Sequence, residues 1–501
     1  MYKTIQINWP KDGDLPPRSY DLTMLGRVLD GTLYDGLKHP FHEEYAANGE
    51  YVPLRSRRPS VRYRLCRLVV DDSASLLFSE GHFPAVDCED ETAKESLEAL
   101  VKELKLNEVF IDAVTRGSVG SVAVLLRVLE SRPFISVMPT AFLTPTWKPL
   151  APDTLLSVTE RYKVKGKVLK EAGFTAEKDE ADYWVQRDWT ETDEIVYIPL
   201  EVSKDPKKQT PKVDKTRSTK HALGFVPMVW IKNLPGGDDI DGACTFPSEA
   251  IDTNIEVDYQ LSPVGRGLKY SSDPTLLLKE PAMGENGKMV KGAGNALVVG
   301  VEGDAKLLEI NGTAAAAVMD YVRLLRELAI ESMHGNRANT EKSMAAPSGK
   351  ALEMMNQALI WLADNLRISY GEGGLLDLIN MLVKVHAKMP LKLKTGAKLA
   401  EIPASSVVTL RWPAWYAPTL LDMDARADTL VKLTTNGLMS RETAIKVLSS
   451  EYDIEDVQAE KLMADAETKE RAELAKPAIR TKQTIFKDSN QMMTGSQQET
   501  Q

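Results

Sequence analysis

The clearest periodic signal in the chain lies between residues 313 and 334. Tyr321, Leu324, Leu325 and Leu328 recur at spacings of three and four, while Asp320, Arg323, Glu327 and Glu331 take the other faces. That is the pattern of an amphipathic helix. Thr313 is placed to cap its start, its hydroxyl accepting from a first-turn amide. Gly335 offers a left-handed stop. About 22 residues at ~1.5 Å each make a rod of roughly 33 Å. A helix-like segment from Ser248 to about Ser271 precedes it, separated by an insert at 273–311 rich in Gly and β-branched residues. A polar loop at 335–348 follows, and then a long apolar helix to about Met389. Pro263, Gly265 and Gly267 predict a kink or early end in the first helix, and Gly371, Gly373 and Gly374 a bend in the long one. Isolated helices around an insert suit an elongated subunit better than a compact enzyme.

The flanking regions alternate differently. Residues 1–60 are broken by Pro10, Pro16, Pro17, Pro40, Pro53 and Pro59, which predicts a peripheral arm with one short helix at 22–29. Helices are expected at 61–80, where Leu65, Leu68, Val69, Ala74 and Leu77 share a face, and at 92–104 and 108–116. Runs at 122–130 and 133–138 read as an antiparallel strand pair about Ser131-Arg132. Short β segments follow at 154–162, 163–172, 181–188 and 194–199. The charged stretch 204–220 reads as a solvated loop, and 226–231 as a buried strand. After the organising stretch come a strand at 406–412 and helices at 422–434, 441–449 (Ser440 as N-cap) and 453–474. Beyond Pro477 the Gln-, Ser- and Thr-rich composition predicts disorder. The expected class is α+β with a mainly antiparallel sheet.

Composition narrows the function. The 501 residues provide for about three domains. A formal net charge of −10 argues against a sequence-reading DNA binder, yet is compatible with a surface that handles DNA without gripping it. Cys66, Cys88 and Cys244 are too few and too scattered for a disulfide framework or a zinc site. Residues 1–5 lack the apolar core of a signal peptide, and no run approaches the ~20 apolar residues of a membrane span. Folding in the cytoplasm and no membrane association are expected.

Enzymatic chemistry has few candidates. No phosphate loop of the Gly-x-x-x-x-Gly-Lys-Ser/Thr type is present. Gly292-Ala293-Gly294 lacks the third glycine, helix and acidic residue of a dinucleotide site. Asp238, Asp239 and Asp241 do not have EF-hand spacing and read as a solvated turn. The six histidines are dispersed, His39 and His42 being the closest pair, and no Gly-x-Ser-x-Gly elbow occurs. No catalytic residue, metal or cofactor is expected.

The order of parts resembles that of the portal (head-to-tail connector) proteins of tailed bacteriophages, over more than 400 residues. The residues that carry the resemblance are the helix at 61–84, Leu223-Gly224-Phe225-Val226-Pro227-Met228-Val229 and Pro347-Ser348-Gly349-Lys350-Ala351-Leu352. Arg411-Trp412-Pro413, followed by Asp422, Asp424, Gly437-Leu438-Met439-Ser440 and Thr443-Ala444, completes them. The resemblance implies an elongated subunit of a ring, usually a dodecamer. Its parts would be a peripheral arm at 1–60, a wing at 61–246 and stem helices at 247–272 and 313–335 about a clip at 273–312. A tunnel loop at 336–348, a long wing helix and return strand at 349–420, a crown at 421–475 and a disordered tail at 476–501 would follow.

The implied function is a channel at one capsid vertex of the virion, assembled in the host cytoplasm, through which double-stranded DNA is packaged and ejected. The implied partners are copies of itself, DNA contacted without regard to sequence, major capsid protein, scaffolding protein, the large terminase ATPase and a head-tail adaptor. Asn336, Arg337, Asn339, Lys342 and Ser343 of the tunnel loop are the expected DNA contacts, since a few basic and amide groups in an acidic channel bind phosphates weakly. Arg266, Lys269, Arg323 and Arg326 face either the channel or a neighbouring subunit's carboxylates. The alternative is a virion adaptor or minor head protein that does not conduct DNA.

Overall fold

The computed structural model describes residues 1–202, 210–272, 275–281, 299–308, 312–335, 349–416, 420–449 and 457–474. The chain forms two compact units, one ending at Ala417 and the other running from Pro418, with 347–349 grouped with the second. The class is α+β, with antiparallel sheets.

At the centre of the first unit is the strand Ser121–Leu129, flanked by Met228–Lys232 and Arg132–Pro139. Its continuous apolar run is explained by burial on both faces. Val122, Val124 and Leu126 enter the main core beneath the helices Leu65–Phe78 and Leu106–Gly117. Ala123 and Leu125 point the other way, into a second cluster with Leu143, Val158 and the fully buried Trp189. That cluster lies against a six-stranded sheet built on Leu143–Lys148, Ala151–Lys165, Asp182–Trp189 and Asp193–Val196. Far along the chain, Val408–Arg411 returns to pair with Ala85–Cys88.

Four expectations are corrected. Residues 163–172 do not form a strand: Ala151–Lys165 is one long strand and Gly166–Glu171 a helical turn. A Cβ at Gly166 would strike the Lys178 carbonyl, and Leu169 turns into a small core with Tyr183 and Val185 while Val168 stays outside. Residues 1–60 are not a peripheral arm. The helix Pro17–Asp30 and the chain after it place Met24, Val28, Leu29, Leu33, Tyr34 and Leu37 in the main core. Pro263 does not end its helix, which runs Ser248–Ser272. Side chains on both sides of the proline are held by the N-terminal segment, and this offsets the lost backbone bond. Asp241 is not part of a solvated turn. It is buried and receives Arg18 through two bonds of 2.5 and 2.7 Å and the Ser121 hydroxyl at 2.5 Å.

The long apolar helix expected after 348 is in pieces. Gly349–Met355 and Gln357–Leu366 lead into a widened π segment, Arg367–Leu376, and α geometry resumes at Asp377–Lys388. The expected bend at the glycines is this widening, which lets the backbone approach its neighbours closely. A Cβ at Gly371 would enter the Trp412 ring, and one at Gly374 would meet Ile231 and Phe110. Tyr370, wholly buried, donates to the Asn233 side chain at 3.0 Å, which in turn donates to the carbonyl of Ala243 at 2.8 Å and to Thr245 at 2.9 Å.

The second unit holds Leu420–Thr435, Arg441–Ser449 and Val457–Leu474. Ser440 caps the middle helix by accepting the Thr443 amide at 3.1 Å. Arg441 and Glu442 on that helix pair with Asp465 and Lys461 on the last, each at 2.7 Å.

Asp241→Ala leaves the part-buried Arg18 guanidinium without its counter-charge and is expected to cost about 2–4 kcal/mol of stability, somewhat less than breaking a fully buried pair. Arg18→Met with Asp241→Leu should recover most of the loss. Urea midpoints of the two variants check both statements.

Candidate functional site: a helix pair carrying a hairpin

The helices Ser248–Ser272 and Gly312–Ser332 pack together and are joined through a β-hairpin in which Thr275–Pro281 pairs with Val299–Leu308. Pairing is therefore within the chain, with Leu276 opposite Leu307 and Leu278 opposite Ala305. Among the described residues, one end of the helix pair is set in the core. Ile251, Ile255 and Tyr259 of the first helix are buried there with Ala329, Ile330 and Met333 at the end of the second.

The first helix is seated by a polar ladder. Asn254, Asp258 and Ser262 are spaced four apart and share one face, and all three are buried. Asn254 accepts the Leu65 amide at 2.6 Å, Asp258 the Tyr63 amide at 2.7 Å and Ser262 the Val61 amide at 3.1 Å. Four helical residues rise about 6 Å and two extended residues span about 6.6 Å, so the helix's side chains act as a strand partner. The numbers descend on one side and ascend on the other, so the segment runs antiparallel to the helix. Asp258 also receives the Tyr34 hydroxyl at 2.7 Å, and Tyr259 donates to the carbonyls of Arg55 and Arg57 at 3.1 and 3.0 Å. Burial pushes the Asp258 carboxyl up to about 6 against the pull of the Tyr63 amide, the Tyr34 hydroxyl and the Arg62 charge. Tyr34 is pushed up as well, by its own burial and by the Asp258 charge.

The outer part of the second helix reverses an expectation. Tyr321, Leu324 and Leu328 were the face expected to bury, yet they stand exposed, as do Met319 and Leu268 of the first helix. Val322, Ala329 and Ile330 make the inward contacts instead. At the helix end His334, at φ +53°, takes the left-handed position expected of Gly335. Gly335 serves close packing, because a Cβ there would press on Val69 and Ile330.

The predicted site residues fall as follows. Asn336, Arg337, Asn339, Lys342 and Ser343 lie outside the described residues. Arg266 pairs with Glu44, which also lies 3.6 Å from Arg57. Lys269 is exposed farther along the same helix. Arg323 pairs with Asp320 at 3.0 Å, both exposed, and Arg326 is exposed. Pattern reading passed over Asn254, Asp258 and Ser262, although their four-residue spacing on one helix was a usable signal. Glu44 and Tyr34, distant in sequence, offered none. Among the described residues no group of three or more His, Cys, Asp and Glu is arranged to hold a metal ion. No described helix is long and apolar enough to cross a membrane.

No protein-family model matches the chain, and no curated protein does. Among solved structures, the chain is similar to a chain from the virion of a native gene transfer agent particle, at 12% identity and a TM-score of 0.33. The likeness covers 77% of this chain and 89% of that one. A likeness of that size carries no weight for function.

Because the folded-state pKa of Asp258 is raised, its contribution to stability is full below about pH 4 and is lost as pH rises through about 6. Asp258→Asn has no such dependence. Relative to wild type, the variant should gain about 2–3 kcal/mol between pH 4 and pH 7.5. Urea unfolding at both pH values measures the difference, and an unchanged difference would show that the carboxyl is not buried as described.

Proposed function

We propose that this chain is a portal protein of a tailed bacteriophage, a structural virion component that forms a ring at one capsid vertex and passes double-stranded DNA. The observation that carries the reading is the uncovered apolar face Tyr321, Leu324 and Leu328 on a helix pair whose described contacts anchor it at one end. Burying a large apolar side chain is worth about 1.5–3 kcal/mol, so such a face in water favours association with further copies. The two partners of a repeating head-to-tail contact close into a ring when the rotation permits. The sequence resemblance supplies the rest of the assignment, and the order of described elements is consistent with it.

In this reading the helix pair is the stem and the hairpin belongs to the clip. The stretch 336–348 is the tunnel loop, the segmented helix from Gly349 is the wing helix, and the helices after Pro418 are the crown. The clip would meet the terminase ATPase during packaging and a head-tail adaptor afterwards. The ring would be built with scaffolding and major capsid proteins. The chain's role is non-enzymatic, and the energy for DNA movement comes from the terminase. A net charge of −10 suits a channel wall that repels phosphates, while Arg337 and Lys342 would give weak contacts that let DNA slide.

Electron microscopy of the purified protein should show closed rings of about a dozen subunits with an open centre. Compact particles without a bore would instead favour a virion adaptor that does not conduct DNA. Arg337→Glu with Lys342→Glu should impair DNA packaging or retention while leaving rings intact, and normal genome filling would sink the loop assignment.

A further inference from the structure

Between Leu378 and Ala400 the chain carries five lysines, Lys384, Lys388, Lys392, Lys394 and Lys398, and no Asp or Glu, although its net charge is −10. The last three lie on a short hairpin that follows the helix Asp377–Lys388. Its arms meet where Lys392 bridges Lys398, the Leu393 and Ala397 backbones are bonded at 2.9 Å, and Gly396 turns the chain at φ +83°. Alternation along the arms sorts the side chains. Leu391, Leu393 and Leu399 pack on the main core, and Lys392, Lys394 and Lys398 take the other face. Three amides tie the hairpin down. Leu391 donates to His386 Nδ1 at 3.1 Å, Lys392 to the Ser131 carbonyl at 2.9 Å and Lys394 to the Glu103 carboxylate at 2.5 Å.

Two lysines directly across an antiparallel bridge repel each other, and one lysine with one acid would solvate the same face without that cost. Among the described residues Lys384, Lys392, Lys394 and Lys398 form no ion pair. Lys388 donates to the uncharged Leu223 carbonyl. The acids bordering the patch are Glu103, which holds the Lys394 amide, and Glu130 and Glu401, both exposed. Like charge held in a fixed hairpin is a local conflict of the kind folds keep at functional sites. We propose that this hairpin is a contact surface for the phosphate backbone of double-stranded DNA, separate from the stretch 336–348. The inference goes beyond the portal reading and uses it only to choose DNA among duplexes. The other exposed residues of 384–400 are Ala, Pro, Thr and Gly. That excludes the aromatic platform a single strand stacks on and the large apolar groups that enter a lipid surface. It also denies an acidic peptide the apolar anchors on which protein contacts concentrate. Point charges with nothing to read a base edge give binding that is blind to sequence.

Fluorescence anisotropy of the full-length chain with a labelled DNA duplex of mixed sequence, titrated at several salt concentrations, tests this. The variant carrying Lys392→Gln, Lys394→Gln and Lys398→Gln should bind at least about tenfold more weakly at low salt, with a salt slope smaller by about 2.7. Duplexes of different sequence should lose equally. The control carries Lys165→Gln, Lys170→Gln and Lys178→Gln, three lysines already paired with Asp182, Asp179 and Glu201. It changes the net charge by the same amount and should bind like wild type. Circular dichroism checks folding, and Lys394→Gln with Lys398→Gln is the second variant if the triple one misfolds. Lys398→Glu should weaken DNA binding yet raise the urea midpoint, because it turns the cross-strand repulsion into a pair. Unchanged affinity in the hairpin variant, an equal loss in the control, a lower midpoint for Lys398→Glu or tighter binding of poly-glutamate than of the duplex would each overturn the inference. Rings seen by microscopy in that event leave the portal reading standing. Hairpin-dependent DNA binding by a chain that forms no rings would support this surface and remove the portal reading.

Discussion

The seating of the helix Ser248–Ser272 depends on one arrangement, the antiparallel run of amides at Val61, Tyr63 and Leu65 against the side chains of Ser262, Asp258 and Asn254. An extended segment buried beside a helix has no sheet to satisfy its N–H groups, and each unpaired one would cost about 1–3 kcal/mol. The helix supplies acceptors at a rise that nearly matches the pleat. The same ladder places Tyr34, Arg57 and Glu44 around the helix. This is why the first sixty residues belong to the core and why the helix continues through Pro263. Its one charged member carries a cost, because Asp258 is ionised at neutral pH in a site that raises its pKa.

A second fixed point holds the segmented helix that runs to Lys388. Tyr370 reaches the Asn233 amide, and the glycines of the π segment let the helix approach Trp412, Ile231 and Phe110. Were this segment a plain α-helix with side chains at 371 and 374, it would stand off from the sheet. The widened turn thus sets where Trp361 and Ile368 emerge on the opposite side. The core contacts of this helix and its outward strip are two consequences of one packing decision.

The helix pair is anchored by Ile255, Tyr259, Ala329, Ile330 and Met333 at one end. Beyond that anchor, two helices can bury at most one side of each against the other, so an apolar outer face remains. In a monomer that face is a liability.

Much of the fold was legible in the sequence. The helix of 313–334, the strand pair about Ser131-Arg132, the Ser440 cap and the breaks at Gly371 and Gly374 all follow from local patterns whose physical cause is local. Helical period, turn residues and caps act within a few positions, so the α+β class and the order of elements could be read directly. What tertiary structure alone decided is which face of each element turns inward. Tyr321, Leu324 and Leu328 have the periodicity of a core face, and only packing against Ser248–Ser272 shows that Val322, Ala329 and Ile330 take that role. Likewise, Asp241 reads as a solvated acid until Arg18, more than two hundred residues away, is placed beside it, and the proline-rich start reads as an arm until Asp258 receives Tyr34 and the Tyr63 amide. Periodicity records that a face is apolar; the partner that covers it is set by contacts between positions far apart in the chain, which no local pattern encodes.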